Sequence, residues 1–253
     1  MKNKPKTITL LEISESAQKR VALISKEFTD GFEFIKNYPR SVTFFGSARI
    51  QDDSEFYNKS KNLAERIVKE LRYSVVTGGG PGIMKAANKG AFEAGGNSVG
   101  LNIELPREQS TNDYLTDKME FHYFFSRKVC LSFSAEAYLF FPGGFGTFDE
   151  FMEILTLMQT GKIAEAPIIL VGESFWNPLR EFFKANMISG GYVAEKDLDL
   201  FTITDNEDKI LEIIKNAPVR MGIEYNAKSE RPIKKNGHNG DGPINGLLNK
   251  YFR

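Results

Sequence analysis

Between Leu10 and Ile35 the apolar residues Ile13, Ala17, Val21, Ile24, Phe28 and Phe32 fall three or four apart, the spacing of one helix face. Asp30 and Gly31 mark a place where that helix could break. Beyond Pro39 the pattern changes to short apolar runs alternating with amphipathic stretches. Strands are predicted at residues 41–45, 73–77, 97–103, 120–124, 137–141, 167–171 and 200–204. Helices are predicted at 54–71, 81–94, from Phe125, and at 149–160, 175–187 and 206–216. Strand-helix repetition with short connections implies an α/β fold, Rossmann-like and doubly wound, with a mainly parallel sheet and helices on both faces. Residues 1–40 read as an N-terminal helical arm outside the core, and 41–217 as the α/β domain. Residues 218–253, rich in Gly, Asn and Lys with no apolar period, read as a disordered tail.

Composition narrows the function classes. Lys+Arg and Asp+Glu balance at 33 each, so no global field attracts nucleic acid or a membrane surface. The single cysteine, Cys130, excludes an intrachain disulfide and points to a reducing, cytoplasmic compartment. With His122 and His238 the only histidines, a histidine-rich metal cluster is not expected. No apolar run approaches membrane-spanning length.

Three glycine-bearing turns follow predicted strands. The first holds Gly46 and Ser47, the second Gly78, Gly79, Gly80 and Gly82, and the third Gly143, Gly144, Gly146 and Thr147. In a doubly wound sheet such turns line one crevice at the carboxyl ends of the strands. Pro81 suits a first helical position, which would set residues 78–80 just ahead of a helix N-terminus. Glycines there would admit positive φ and close approach of a ligand, and with the Thr147 hydroxyl the N–H groups would cradle phosphate. The dinucleotide pattern fails because Ile83 stands where glycine is needed, and neither turn supplies the glycine-lysine-hydroxyl run of a P-loop. Tight turns with no ligand are the alternative.

Asp149 and Glu150 are expected in the first turn of the helix after the third cluster. Capping would explain one acid there, but a carboxylate beside a phosphate site is repelled by the phosphate, and Glu153 could serve the dipole. An acid retained in that position points to chemistry on a group that becomes positive. Arg127 and Lys128, at another strand-to-helix passage, would offer a planar fork to phosphate or a polarised leaving group and a point charge to phosphate; an exposed surface pair is the alternative.

The residues PGGFGT followed by Asp149-Glu150, with the upstream TGGGPGIMKAANKGA and the intervening SRK, resemble the LOG (LONELY GUY) family over roughly residues 41–216. That resemblance implies a cytokinin riboside 5′-monophosphate phosphoribohydrolase, cleaving a purine nucleoside 5′-monophosphate to free base and ribose 5-phosphate. It implies Arg127 and Glu150 as catalytic residues, phosphate binding at residues 78–82 and 143–147, no metal or organic cofactor, and a homodimer. Asp149 departs from the glutamate many members carry, as do the arm and the tail from minimal members, which opens the choice of base. A nucleotide-binding carrier or sensor of the same fold is the competing class.

Overall fold

The computed structural model of the chain describes residues 10–104 and 111–218. The expected tail lies outside the described residues, apart from Pro218. The first element is one helix, α1 (Leu10–Ile35), followed by β1 (Ser41–Phe45), α2 (Glu55–Arg66), β2 (Ser74–Thr77), α3 (Ile83–Glu93) and β3 (Ser98–Ile103). Then come β4 (Asp117–Phe121), α4 (Phe124–Phe133), β5 (Ala137–Phe140), α5 (Phe145–Gln159) and β6 (Ile168–Leu170). The last elements are α6 (Glu173–Phe182), β7 (Phe201–Ile203) and α7 (Glu207–Asn216). Wider π-helical turns extend α2 over Ile67–Leu71 and α6 over Phe183–Ile188.

All seven strands pair in parallel, in the order β4-β3-β2-β1-β5-β6-β7. The chain builds outward from β1 to β4, then returns to place β5 against the other side of β1. The order therefore reverses between β1 and β5, where such sheets bind ligands outside the strands' carboxyl ends. Side chains alternate across the pleat. Phe44 and Leu139 pack with Leu63, Ile83 and Ile210 from α2, α3 and α7. Phe45 and Phe140 stack with ring centroids 4.7 Å apart on the other face, with Leu131, Phe151 and Trp176 from α4, α5 and α6. Burial on both faces explains why the strands read as continuous apolar runs.

Four of the differences from the expected elements have a physical reason in the structure. Helix α1 runs unbroken through Asp30-Gly31, because Gly31 serves close packing: a Cβ there would lie 2.4 Å from Cys130 Sγ on α4. Strand β4 starts at Asp117, and its pairing ends at Phe121 because Tyr123 already caps α4. Helix α3 starts at Ile83 rather than Pro81, with Gly82 at φ +65° as its N-cap. Helix α5 starts at Phe145, four residues before Asp149, because the Gly144 carbonyl accepts from the Thr147 and Phe148 N–H groups at 3.0 and 3.1 Å. None of the described helices is long and apolar enough to cross a membrane.

Candidate active site

The turns after β1, β2 and β5 open on one cavity of about 990 Å3. Of the expected site residues, Gly46, Ser47, Gly78, Gly80, Arg127, Lys128, Gly143, Gly144, Gly146, Thr147 and Glu150 line it. Gly79 and Gly82 are not among the residues that line it. Gly79, at φ +70°, lies where a Cβ would meet Asn102 Oδ1 at 1.8 Å, and Gly82 where one would meet the Ser47 carbonyl oxygen at 2.3 Å. Both glycines let the chain approach itself.

The second turn is tied down from several sides. The Gly79 N–H donates to Thr77 Oγ1 at 2.8 Å, and Asn112 donates its N–H to the Gly79 carbonyl at 3.0 Å and its Nδ2 to the Gly80 carbonyl at 3.1 Å. Buried Asn88 joins Thr77, Ser98 and Asn112 in the same network. The third turn is bare by comparison. Gly144 and Gly146 have nothing within 4 Å of an added Cβ, and Gly144 is extended (φ −93°, ψ −159°). The expected positive φ is absent from residues 143–146. Geometry leaves the N–H groups of Phe145 and Gly146, at the first two positions of α5, without intrahelical acceptors. That end of α5 is where an anion is stabilised.

The acids differ from their expected placement as well. Because α5 begins early, its first turn carries no acid, and Asp149 and Glu150 stand in the second. Capping the dipole does not account for them there, since that effect fades within one turn. Asp149 and Glu153 instead hold Lys128, whose Nζ lies 2.9 Å from Asp149 Oδ2 and 2.7 Å from Glu153 Oε2. Burial works against the lysine's charge, but those two hydrogen bonds prevail and keep its pKa above the ordinary value.

Glu150 is 7% exposed, and its Oε2 is buried with no hydrogen-bond partner. Burial pushes its pKa up to about 7; Arg127 and Lys128 pull against that shift, while Glu153 and Asp149 add to it. Arg127 is half-buried on the first turn of α4. Its Nε donates to the Leu101 carbonyl at 2.6 Å and one terminal nitrogen to the Gly78 carbonyl at 3.3 Å, which fixes the guanidinium plane. Burial pulls its pKa below the ordinary value, partly offset by the Glu150 charge.

Sequence reasoning missed the cavity's apolar wall, Met84, Ile103, Phe124, Leu131 and Phe148, because such residues read as core. It also passed over Arg49, on the turn after β1, which lines the cavity with no ion pair to another described residue. Its place beside Gly46 and Ser47 was the available signal.

A family model described as possible lysine decarboxylase matches residues 84–214, more than half of the 253. The chain belongs to this family, the LOG-type proteins. This LOG-family chain is 25% identical over 156 residues to a cytokinin riboside 5′-monophosphate phosphoribohydrolase of Rhodococcoides fascians, covering 60% of this chain and 78% of that one. A protein of the same name from Arabidopsis thaliana is 22% identical over 184 residues, 72% of this chain and 85% of the relative. The molybdenum cofactor carrier protein of Chlamydomonas reinhardtii shares the fold at a TM-score of 0.51 and 20% identity, over 70% of this chain and 96% of that one.

Proposed function

We propose that the chain hydrolyses the N-glycosidic bond of a purine nucleoside 5′-monophosphate, AMP or a cytokinin riboside 5′-monophosphate, to free base and ribose 5-phosphate. The observation that carries this reading is Glu150: a buried carboxyl with an unpartnered oxygen, in a cavity that also exposes the bare N-terminus of α5. An anionic phosphate seats on the Phe145 and Gly146 N–H groups. That anchoring sets the sugar against Glu150, so binding energy far from the reacting bond orients it. As the bond between the ribosyl carbon and the base nitrogen breaks, positive charge grows on the sugar, and the Glu150 carboxylate stabilises it. Water adds its oxygen to that carbon and gives one proton to Glu150, and that proton passes on to the base nitrogen, which has kept the electron pair of the broken bond. Arg127 has guanidinium donors beyond those fixed by Leu101 and Gly78, for the phosphate or the departing base.

A decarboxylase reading would need a lysine free to form a Schiff base. Among the described residues the one lysine lining the cavity, Lys128, is held charged between two carboxylates. The exposed Phe124 and Phe145 at the cavity support a homodimer that covers them. The deciding assay is release of free base from AMP, adenosine and ATP in parallel, with and without EDTA. Release from AMP alone, unaffected by chelator, is expected. Equal rates on adenosine and AMP would remove the phosphate anchor, and tight binding of AMP without any release would favour a carrier.

A further inference from the structure

The arm helix α1 packs along α4, the helix that carries Arg127, and reaches its N-terminal end. Glu27, half-buried on α1, accepts from the His122 N–H at 2.6 Å with Oε1 and from the Tyr123 N–H at 3.3 Å with Oε2. Its Oε2 also accepts from Ser126 Oγ. Tyr123 is the N-cap of α4 and makes no side-chain cap of its own, and α4 has no acid in its first turn. A helix whose own residues supply no cap leaves its N–H groups unsatisfied unless another segment provides the acceptor. Glu27 satisfies one of them, the N–H of the N-cap Tyr123, across 96 residues of sequence, and also holds the preceding His122 N–H and the Ser126 hydroxyl, with a charge of the sign that the helix N-terminus favours.

The next residue after Ser126 is Arg127, and the Arg127 N–H donates to the Tyr123 carbonyl at 3.3 Å. The turn that Glu27 grips is therefore the turn that carries the arginine. Packing reinforces the grip: Phe28 meets Phe125 at 6.4 Å between centroids, Phe32 meets Phe133 edge-on at 5.7 Å, and Gly31 sits directly over Cys130. Arg127 reaches Gly78, just beyond β2, and Leu101, within β3, through bonds of 3.3 and 2.6 Å, which hold only while the helix end stays where it is.

We infer that Glu27 is a positioning residue for the active site: the arm sets the end of α4, and through it the Arg127 guanidinium. This rests on the function proposed above, but it concerns a segment outside the α/β domain that does not itself line the cavity. Glu27→Ala is expected to lower kcat for AMP hydrolysis about tenfold while KM stays within about twofold, since the arginine is displaced rather than lost. Glu27→Gln, which keeps one acceptor oxygen and similar packing, is expected to recover a substantial part of that loss. In an Arg127→Ala background, Glu27→Ala is expected to cost nothing further, because residues acting through one another are not additive. A merely structural role would lower the melting temperature and add its cost in either background.

Hydrogen exchange supplies a readout that needs no turnover. In Glu27→Ala the amides of His122 and Tyr123, which donate to Glu27, and of Arg127, which donates to the Tyr123 carbonyl, are expected to exchange roughly tenfold faster, with those of β1 and β5 unchanged. If the parent chain releases no base, the proposed function falls and exchange alone decides this inference. Parental exchange at His122, Tyr123 and Arg127, or an equal loss of kcat with and without Arg127, would overturn it.

Discussion

The turns after β2 and β5 look alike as text and differ as objects. Residues 78–82 are packed against Asn102, Ser47 and Arg127, with Asn112 bound to two of their carbonyls. Residues 143–146 are closed at one point, where a Cβ on Gly143 would lie 2.1 Å from Thr147 Oγ1, and are open at Gly144 and Gly146. A glycine can be needed because the chain must touch itself or because something else must touch the chain. The first turn builds the site; the second presents it.

The largest expected effect falls on the residue that the open turn serves. Glu150→Gln should lower kcat by about 10²–10³, the usual loss when a group stabilising transition-state charge is removed, while AMP still binds. The ionised form does the work, so kcat in the parent should rise with pH through about 7 and level above it. Near-parental turnover in the folded variant would end the catalytic assignment.

The same carboxyl links to stability in the opposite direction. Its pKa is raised on folding, so its favourable contribution is full below the ordinary glutamate range and is lost as pH rises through about 7. The melting temperature of Glu150→Gln should therefore gain on the parent's between pH values of about 5.5 and 8.5. A gap independent of pH would show that Glu150 is not held near neutrality.

The packed turn is tested by Gly79→Ala. An alanine at φ +70° is strained, and its Cβ would overlap Asn102 Oδ1. The two costs together come to about 2–3 kcal/mol. For a domain of this size that lowers the melting temperature by roughly 4–12 °C. A variant as stable as the parent would mean that the turn adjusts freely, and the contrast between the two turns would weaken.

The alternation of strand and helix was legible because a buried parallel sheet leaves runs such as Ala137–Phe140 that no amphipathic helix shares. The start of α5 was not, because Gly144 and Gly146 read as turn residues while the Gly144 carbonyl already accepts helical bonds. Nor was the break at Gly31 a break, since its reason lies in Cys130, across the packing of two helices. Arg127 and Glu150 stood out by motif, yet their coupling depends on burial that only the fold supplies. Glu27 carried no local signal, since the N–H of His122 that it binds lies 95 residues further on. Lys128 likewise read as a cation for phosphate, while its ion pairs arise from α4 lying beside α5.

The smallest effect separates the two kinds of glycine most sharply. Gly144 has extended backbone that any residue adopts, and an added Cβ meets no atom within 4 Å. Alanine there removes freedom from the unfolded chain without straining the folded one, worth about 0.4–1 kcal/mol of added stability. The melting temperature of Gly144→Ala should hold or rise by roughly 1–4 °C. Binding should move the other way. The methyl group would stand at the N-cap of α5, where a phosphate approaching the Phe145 and Gly146 N–H groups must come close to the backbone. An increase of about tenfold in KM for AMP is expected, equivalent to one lost or lengthened hydrogen bond to a charged group. Inhibition by ribose 5-phosphate should weaken by the same factor, because the anchor is shared. Were KM unchanged in this more stable variant, the open turn would be bare for some reason other than the ligand, and phosphate would have to be sought at Arg49 and Ser47.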